Sequence, residues 1–580
     1  MSGIDWIVLS VTLLSIIAYG LYKSRTSKDL NGYFLSNRSM PWYLVLLSIM
    51  GTQASAVTFL SAPGQAFTDG MRFVQYYFGL PLAMVVLCIT FVPLFRRLKV
   101  FTAYEFLEKR FDVKTRTFTS FLFLLQRGLS TGISIYAPSI ILSSLLGWDI
   151  FLTNIVMGGL LIIYTVTGGA RAVAYTQQLQ LVIIFIGMFL AGYMIVHLLP
   201  KNIGFTDALR VSGASGKMNV ITSGKTNGHF DWSDKYNVWS GLIGGFFLAL
   251  SYFGTDQSQV GRYLTAKNST ESKLGLLING LVKVPMQFFI LLIGAMLFTF
   301  YQFKPSPVFH NQAVELKAQQ TSYKDSLAGI ETKYRVKNEE QGQLAVKYLN
   351  AFHSNNINKT NELKESVRAN NKQLDSLRVA YKGYIKKALP LDDNNDTNYI
   401  FLRFVIDYLP VGLVGLLIAI IFLAAWGSIA AALNSLASCT MIDFHRRYHN
   451  QLEDSSDQQC KKEYKLSRLY TFAWGIFCII VAQFANRMGS LIEAVNVLGS
   501  LFYGVILGIF LVAFYLKKVG ATAVFWSAVF SEVIIVTLFI LNQKGTINLS
   551  FLWLNAVGAI LVVALSWLVQ LFVPVSSAKV

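Results

Sequence analysis

The sequence predicts an all-α, polytopic membrane protein of about thirteen transmembrane helices. Its core is read as a five-plus-five inverted repeat with broken helices, to which an extracytoplasmic helical hairpin is added. Three observations predict this. Apolar runs long enough for a bilayer, which takes about 20 residues, recur along the chain; 54% of its 580 residues are hydrophobic and the mean hydropathy is +0.48. Lys and Arg collect in alternate short connections, as the positive-inside rule requires of one membrane face. Two of the apolar runs are interrupted by small and polar residues at mirrored positions.

The spans are read near 4–22, 41–66, 73–95, 118–145, 150–167, 175–199, 238–256, 273–303, 410–441, 468–486, 490–516, 521–542 and 549–573. The first has no basic segment before it and no small-residue cleavage site after it, so it is taken as a span and not as a removed signal. Lys23, Arg25, Lys28 and Arg38 follow the first span, Arg96, Arg97 and Lys99 the third, and Arg171 the fifth. Arg262 and Lys267 follow the seventh, Arg446, Arg447, Lys461 and Lys462 lie between the ninth and tenth, and Lys517 and Lys518 follow the eleventh. All share one face if the N-terminus is outside and the C-terminus cytoplasmic, in a cell membrane of the bacterial inner-membrane type. The net charge of +19 then signals orientation and not nucleic-acid binding.

With that topology, spans two to six start inside and spans seven to eleven start outside, the layout of an inverted-repeat transporter. The expected organisation is an extra span and cytoplasmic loop (1–40), a first repeat (41–199), an irregular outer loop (200–237), a second repeat (238–303 and 399–516), the hairpin (304–398) and two C-terminal spans (517–580).

The second span, PWYLVLLSIMGTQASAVTFLSAPGQ, places Gly51, Thr52, Gln53, Ser55, Thr58 and Ser61 near the hydrocarbon midplane. Unpaired polar groups in lipid cost several kcal/mol, so they must face protein, water or a ligand. Gly51 and Pro63 weaken regular helix. The reading is a helix interrupted near Gly51–Ala54, with carbonyls left free for a cation; the alternative is a polar helix–helix seam. The seventh span is interrupted likewise at Gly254-Thr255-Asp256-Gln257, where Asp256 is read as anchoring the break.

Residues 304–398 are polar, with charges of alternating sign. Leu316, Tyr323, Leu327, Ile330 and Tyr334 recur at helical spacing, as do Leu363, Val367, Leu374, Leu377 and Tyr381, with HSNNINKTN as the turn between. This predicts a two-armed hairpin closed by a heptad-like seam, an appendage open to an extracytoplasmic protein partner.

In the ninth span, Ala424, Gly427, Ser428 and Ala431 share one helical face. A hydroxyl there could join the freed carbonyls around a sodium ion, since hard cations take oxygen ligands; the alternative is a Ser bonded to its own helix. No phosphate loop, serine elbow or HExxH occurs. Cys88, Cys439, Cys460 and Cys478 show no disulfide or metal spacing. Neither an enzyme nor a cofactor is expected.

The segments SNRSMPWY, ASAVTFLSAPGQAFTDG, LFRRLKVFTAYEFLEKRFD, YTVTGGARAVAYTQQLQ, SYFGTDQSQVGRYLTAKN and AAWGSIAAALNSLASCTMIDF resemble the sodium:solute symporters, the family of sodium/sugar, sodium/sialic acid, iodide and monocarboxylate cotransporters. The resemblance covers the chain outside about 311–390. It implies a sodium site made by backbone oxygens of Gly51 and Ala54, the Ala424 carbonyl, position 427 and Ser428, with Gly427 departing from the usual hydroxyl residue. The positions of a further sodium site are Gln177, Ala430 and Ala431 here, which implies at most one sodium and leaves proton coupling open. The resemblance also implies solute contacts at Thr58, Gln75, Tyr77, Ser130 and Tyr252, with Tyr252 as the inner gating tyrosine. Arg127 lies one turn from Ser130, where the sialic acid symporters hold a carboxylate-binding Arg. A charge inside a span costs roughly 2.5–3.5 kcal/mol, so Arg127 is read as a carboxylate receptor, or else as a structural ion pair. Lys283, Glu493 and Asn496 are further polar candidates within spans. The expected function is sodium-coupled import of a small polar organic solute, a sugar acid such as a sialic acid or another carboxylate, by alternating access. The alternatives are a neutral-sugar symporter, a transporter-like receptor with a sensing hairpin, and a channel.

Overall fold

The computed structural model describes residues 1–24, 38–448, 457–485 and 488–573. Arg25 and Lys28 of the expected orientation signal lie outside them. In chain order the helices are α1 (Gly3–Ser24), α2 (Trp42–Gln53), α3 (Ala56–Asp69), α4 (Met71–Leu98), α5 (Glu105–Arg110), α6 (Val113–Leu146), α7 (Ile150–His197), α8 (Phe205–Ala214), α9 (Ser240–Thr255), α10 (Gln257–Leu264) and α11 (Ser269–Phe303). They continue as α12 (Gln312–Ala318), α13 (Lys324–His353), α14 (Ile357–Ala388), α15 (Ile400–Tyr408), α16 (Leu413–Tyr448), α17 (Asp457–Ala482), α18 (Leu491–Tyr515), α19 (Ala521–Gln543) and α20 (Phe551–Gln570). Among the described residues ten helices are long and apolar enough to cross a membrane. The bent pair α2–α3 and two shorter apolar stretches, Ile150–Val166 and Ser240–Thr255, account for the other expected spans. The fifth and sixth spans are joined without a loop, because α7 stays helical through the connection.

The centre of the molecule is α16. It packs on α1, α2, α6 and α7, and its apolar, small-residue sequence is buried almost throughout. Its start is fixed from α1: Asp5 Oδ1 accepts the Gly412 N–H at 2.6 Å and the Gly415 N–H at 3.2 Å. A carboxylate there satisfies orphan donors of a helix N-terminus.

The break in the second span falls at Ala54 and Ser55, one residue beyond the expected Gly51–Ala54 window, and bends the pair by 60°. Pro63 does not break α3; the helix continues through it. Its carbonyl rests against Gly294 of α11, where a Cβ would stand 2.1 Å from that oxygen, so only glycine allows the two helices this close. The second break is a single residue, Asp256 (φ −75, ψ 116). Its Oδ1 accepts the Ser258 N–H at 2.8 Å and caps α10.

The segment expected to be irregular, 200–237, holds α8 and a two-residue hairpin, Lys225–Thr226 paired with His229–Phe230. Tertiary contacts select the helix: Ser212 and Thr299 hydroxyls bridge α8 and α11 by donating to the Ala295 and Ala208 carbonyls at 3.1 Å each.

The polar insertion forms two antiparallel helices, α13 and α14, turning at Asn355 with φ 54, a conformation Asn tolerates. Leu327, Tyr334, Val367, Leu374 and Tyr381 are buried as the seam pattern requires. Leu316 is not: it sits on the separate short helix α12 and is 54% exposed. The hairpin also lies against the body of the molecule. Asn338 donates to the Tyr301 carbonyl at 3.2 Å and Arg368 to the Ala214 carbonyl at 3.0 Å. At its base, fully buried Asp396 accepts from the His310 N–H and Arg378 Nη2, at 2.9 and 2.8 Å, and pairs with Lys382 Nζ at 2.5 Å. Burial opposes charge on Asp396, but Arg378 and Lys382 hold its carboxyl well below the usual range. Burial also pushes His310 down to about 4, against the pull of Asp396. Two residues further on, Asn398 Oδ1 accepts the Ser61 hydroxyl of α3 at 2.7 Å. The insertion is therefore fastened to the far half of the broken second span, and is more than an appendage.

Candidate functional site

Where the two breaks meet, two small cavities adjoin, of about 110 and about 70 Å³. They share Gln53, Ser55, Arg127, Tyr252 and Val495. The kinked α2–α3 pair forms one wall, and α4, α6, α9, α16 and α18 supply the others.

The breaks free particular backbone groups. In an unbroken helix the Ser55 N–H would bond Gly51 and the Thr58 N–H would bond Ala54. Here Ser55 N–H bonds the Gln53 carbonyl at 3.0 Å and Thr58 N–H bonds the Ser55 carbonyl at 2.9 Å. The carbonyls of Gly51 and Ala54 thus lose their helical donors. From α16, Ser428 lines the smaller cavity together with Thr52 of α2. Its hydroxyl donates to the Ala424 and Ala425 carbonyls at 3.0 and 3.1 Å, which leaves its lone pairs as acceptors. Freed carbonyls and a hydroxyl oxygen suit a hard monovalent cation.

Gly427 contributes no side-chain oxygen, and its surroundings show why. Gln177 of α7 donates from Nε2 to the Gly427 carbonyl at 3.0 Å and to Thr52 Oγ1 at 3.2 Å, and its Oε1 accepts the Ser48 hydroxyl at 3.0 Å. The amide ties α2 and α16 together. A Cβ on Gly427 would stand 2.6 Å from Gln180 Oε1, and one on Gly51 would stand 2.9 Å from Gln177. Both glycines make room for these amides.

The larger cavity is lined by Thr58, Tyr76, Tyr77, Arg127, Tyr252 and Asn496. Arg127 Nη1 is 3.7 Å from Asp256 Oδ2, the same oxygen that accepts the Tyr503 hydroxyl at 2.7 Å. The Arg127 Nε has no hydrogen-bond partner among the described residues. Tyr252 is held by Gln259 Nε2 at 2.6 Å. Tyr76 donates to Asn496 Oδ1 at 3.0 Å and meets Tyr77 edge to face, with centroids 4.7 Å apart. The chamber is amphipathic: aromatic on one side, with a guanidinium and amides on the other.

Thr58, Tyr77, Arg127, Tyr252 and Asn496 therefore share a wall, and Ser130 lines the smaller cavity, accepting from Gln126 Nε2 at 3.1 Å. Three expected contacts lie elsewhere. Gln75 is fully buried outside the cavity, its Nε2 donating to the Tyr236 carbonyl at 2.9 Å and its Oε1 accepting the Thr222 N–H at 3.0 Å; it is a strut for the 200–237 segment. Glu493 is ion-paired with Lys235, away from both chambers. Lys283 stands behind the Tyr77 ring, its Nζ 5.6 Å from the ring centroid. Gln53, expected to face protein, water or a ligand, lines both cavities, whereas Gln126, Tyr76 and Tyr503 were not singled out by sequence reasoning. Gln126 carried a usable signal, being four residues from Ser130 on one helical face. Tyr503 carried none, because its partner Asp256 is distant in the chain.

The sodium:solute symporter family pattern matches residues 33–322 and 383–530, and the gap between them falls on α13 and α14. The chain is 25% identical to a sodium/sialic acid symporter of Proteus mirabilis over 97% of this chain and 93% of the relative. It is 30% identical to the human sodium-coupled monocarboxylate transporter 1 over 47% of this chain and 44% of that protein. Its fold is similar to the solved outward-open, substrate-bound structure of a Na+-coupled sialic acid symporter, with TM-score 0.72 and 23% identity, covering 99% of this chain and 98% of the other.

Proposed function

This chain belongs to the sodium:solute symporter family, and we propose that it imports a small anionic organic solute, a sugar acid such as a sialic acid or a smaller carboxylate, together with sodium. The N-terminus is outside, the C-terminus cytoplasmic, and the hairpin extracytoplasmic, in a bacterial-type inner membrane. Sodium is held by the Gly51, Ala54 and Ala424 carbonyls and the Ser428 hydroxyl. The solute is held by Thr58, Tyr77, Arg127, Ser130, Tyr252 and Asn496. The observation that carries the reading is Arg127: a buried guanidinium in the cavity wall, loosely paired at 3.7 Å, with an unpartnered Nε. A guanidinium offers a carboxylate two parallel hydrogen bonds. Asp256 keeps the charge tolerable between solutes, and Tyr252, in the walls of both cavities with Arg127, links solute arrival to the gate.

Uptake by proteoliposomes at fixed sodium, challenged with a competitor panel, tests this. Inhibition by sialic acids or short carboxylates is expected. Inhibition by neutral hexoses and by no carboxylate would overturn it. That second outcome would fit the Arg127–Asp256 pair acting only as a neutral strut in a neutral-sugar symporter.

A further inference from the structure

The face of α11 that includes Asn279, Lys283 and Gln287 carries an unusual set of groups. The three residues are 0% exposed. Both polar atoms of each amide, and Lys283 Nζ, lack a hydrogen-bond partner among the described residues. They recur every fourth residue, so they form one stripe, about 12 Å long at 1.5 Å per residue. Two glycines on the same face locate it: Gly275 packs on Val45 of α2 and Gly294 on Pro63 of α3. The stripe between them therefore runs along the break of the second span. Gly280, beside it, packs on Met84 and Pro81 of α4.

Among the described residues Lys283 forms no ion pair. Tyr43 at the start of α2, Asp69 at the end of α3, and Arg72, Tyr76, Tyr77, Cys88, Arg96 and Arg97 of α4 are the titratable or charged groups of α2, α3 and α4. Asp69 is engaged by Gln65, Arg72 by Asp234, and Cys88 by the Lys273 carbonyl. Tyr77 faces Lys283 directly and separates it from the solute cavity.

An ammonium sealed in a span without a counter-ion is expensive, and each neutral polar atom left unpaired beside it adds to that cost. A lysine, unlike an arginine, can exchange its proton when buried. We propose that Lys283 is a proton-binding site, set among the unpaired amides of Asn279 and Gln287, and that the transport cycle moves a proton alongside sodium. In the step itself the Nζ–H bond breaks, the proton leaves to water on one membrane face, and the neutral amine takes a proton from water on the other. Tyr77 couples this site to the solute, because its ring is a wall of both.

The test uses no solute, so its failure leaves the anionic reading untouched. Full-length protein in liposomes on a solid-supported electrode receives a step from about pH 8.5 to about pH 6 without sodium or solute, and the transient charge movement is read. A transient is expected in the wild type. Lys283→Met and Lys283→Arg, the latter permanently charged, should reduce it about tenfold or more. If Lys283→Met does not fold, Lys283→Arg decides, and an undiminished transient in it would overturn the proposal. No wild-type transient, or one that survives in folded Lys283→Met, would also overturn it.

Discussion

Removal of the hairpin, residues 311–390 replaced by a short Gly/Ser bridge, is the perturbation in which the structure departs furthest from an appendage on a complete core. Asp396 stays behind, fully buried, but loses Arg378 at 2.8 Å and Lys382 at 2.5 Å. Removing the partners of a buried charge costs about 3–5 kcal/mol. Loss of the Asn338 and Arg368 bonds to the Tyr301 and Ala214 carbonyls adds about 1 kcal/mol each. A marked fall in the apparent unfolding temperature in detergent is expected. Asp396→Asn should reverse much of it in the deletion, since an amide needs no cation. In the full chain the same substitution should destabilise, because it leaves buried Arg378 and half-buried Lys382 without their carboxylate. This opposite sign in the two backgrounds is a double-mutant cycle. Equal effects of Asp396→Asn in both, or a deletion as stable as the intact chain, would refute the reasoning. The Ser61–Asn398 bond at 2.7 Å carries the disturbance to α3, so uptake should fall with stability.

Four further outcomes are expected. Arg127→Gln should weaken an anionic solute by about tenfold or more, since charge-assisted bonds are worth roughly 1.5–3 kcal/mol, and Arg127→Lys should restore only part of it; competition binding reads both. Ser428→Ala should raise the sodium concentration for half-maximal uptake without loss of expression. Gly427→Ser alone should not lower that concentration, because its Cβ would stand 2.6 Å from Gln180 Oε1; a sodium titration that shows tighter coupling would contradict this. Burial pushes the Asp393 carboxyl up to about 7 from 3.8. The folded state then holds a proton that the unfolded chain has released between those values, so stability falls as pH rises through that window. Asp393→Asn should therefore stabilise at about pH 8 and change little at about pH 5, read by thermal unfolding.

Much of the site was legible because its signals are local. Thr52, Gln53 and Ser55 are polar where lipid forbids it, and the break fell beside them, at Ala54 and Ser55. Arg127 is a charge inside an apolar run, and it does line the cavity. Gln75 misled because a buried amide looks the same in sequence whether it faces a solute or, as here, a loop carbonyl at Tyr236. Glu493 was open to a solute contact or a salt bridge, and its pairing with Lys235, far off in the chain, is the second of these.

Hydropathy, charge bias and the interrupted runs by themselves determined the spans, the helical hairpin and the two breaks, because each depends on residues near one another and on the cost of polar groups in lipid. Tertiary structure alone decided which polar residues share a chamber. It set Gln177 between α2 and α16 in contact with both glycines, and bound Asp396 to the hairpin. It also left Asn279, Lys283 and Gln287 without partners. Those outcomes depend on which helices lie side by side, and side-chain polarity does not encode the identity of a neighbour hundreds of residues away.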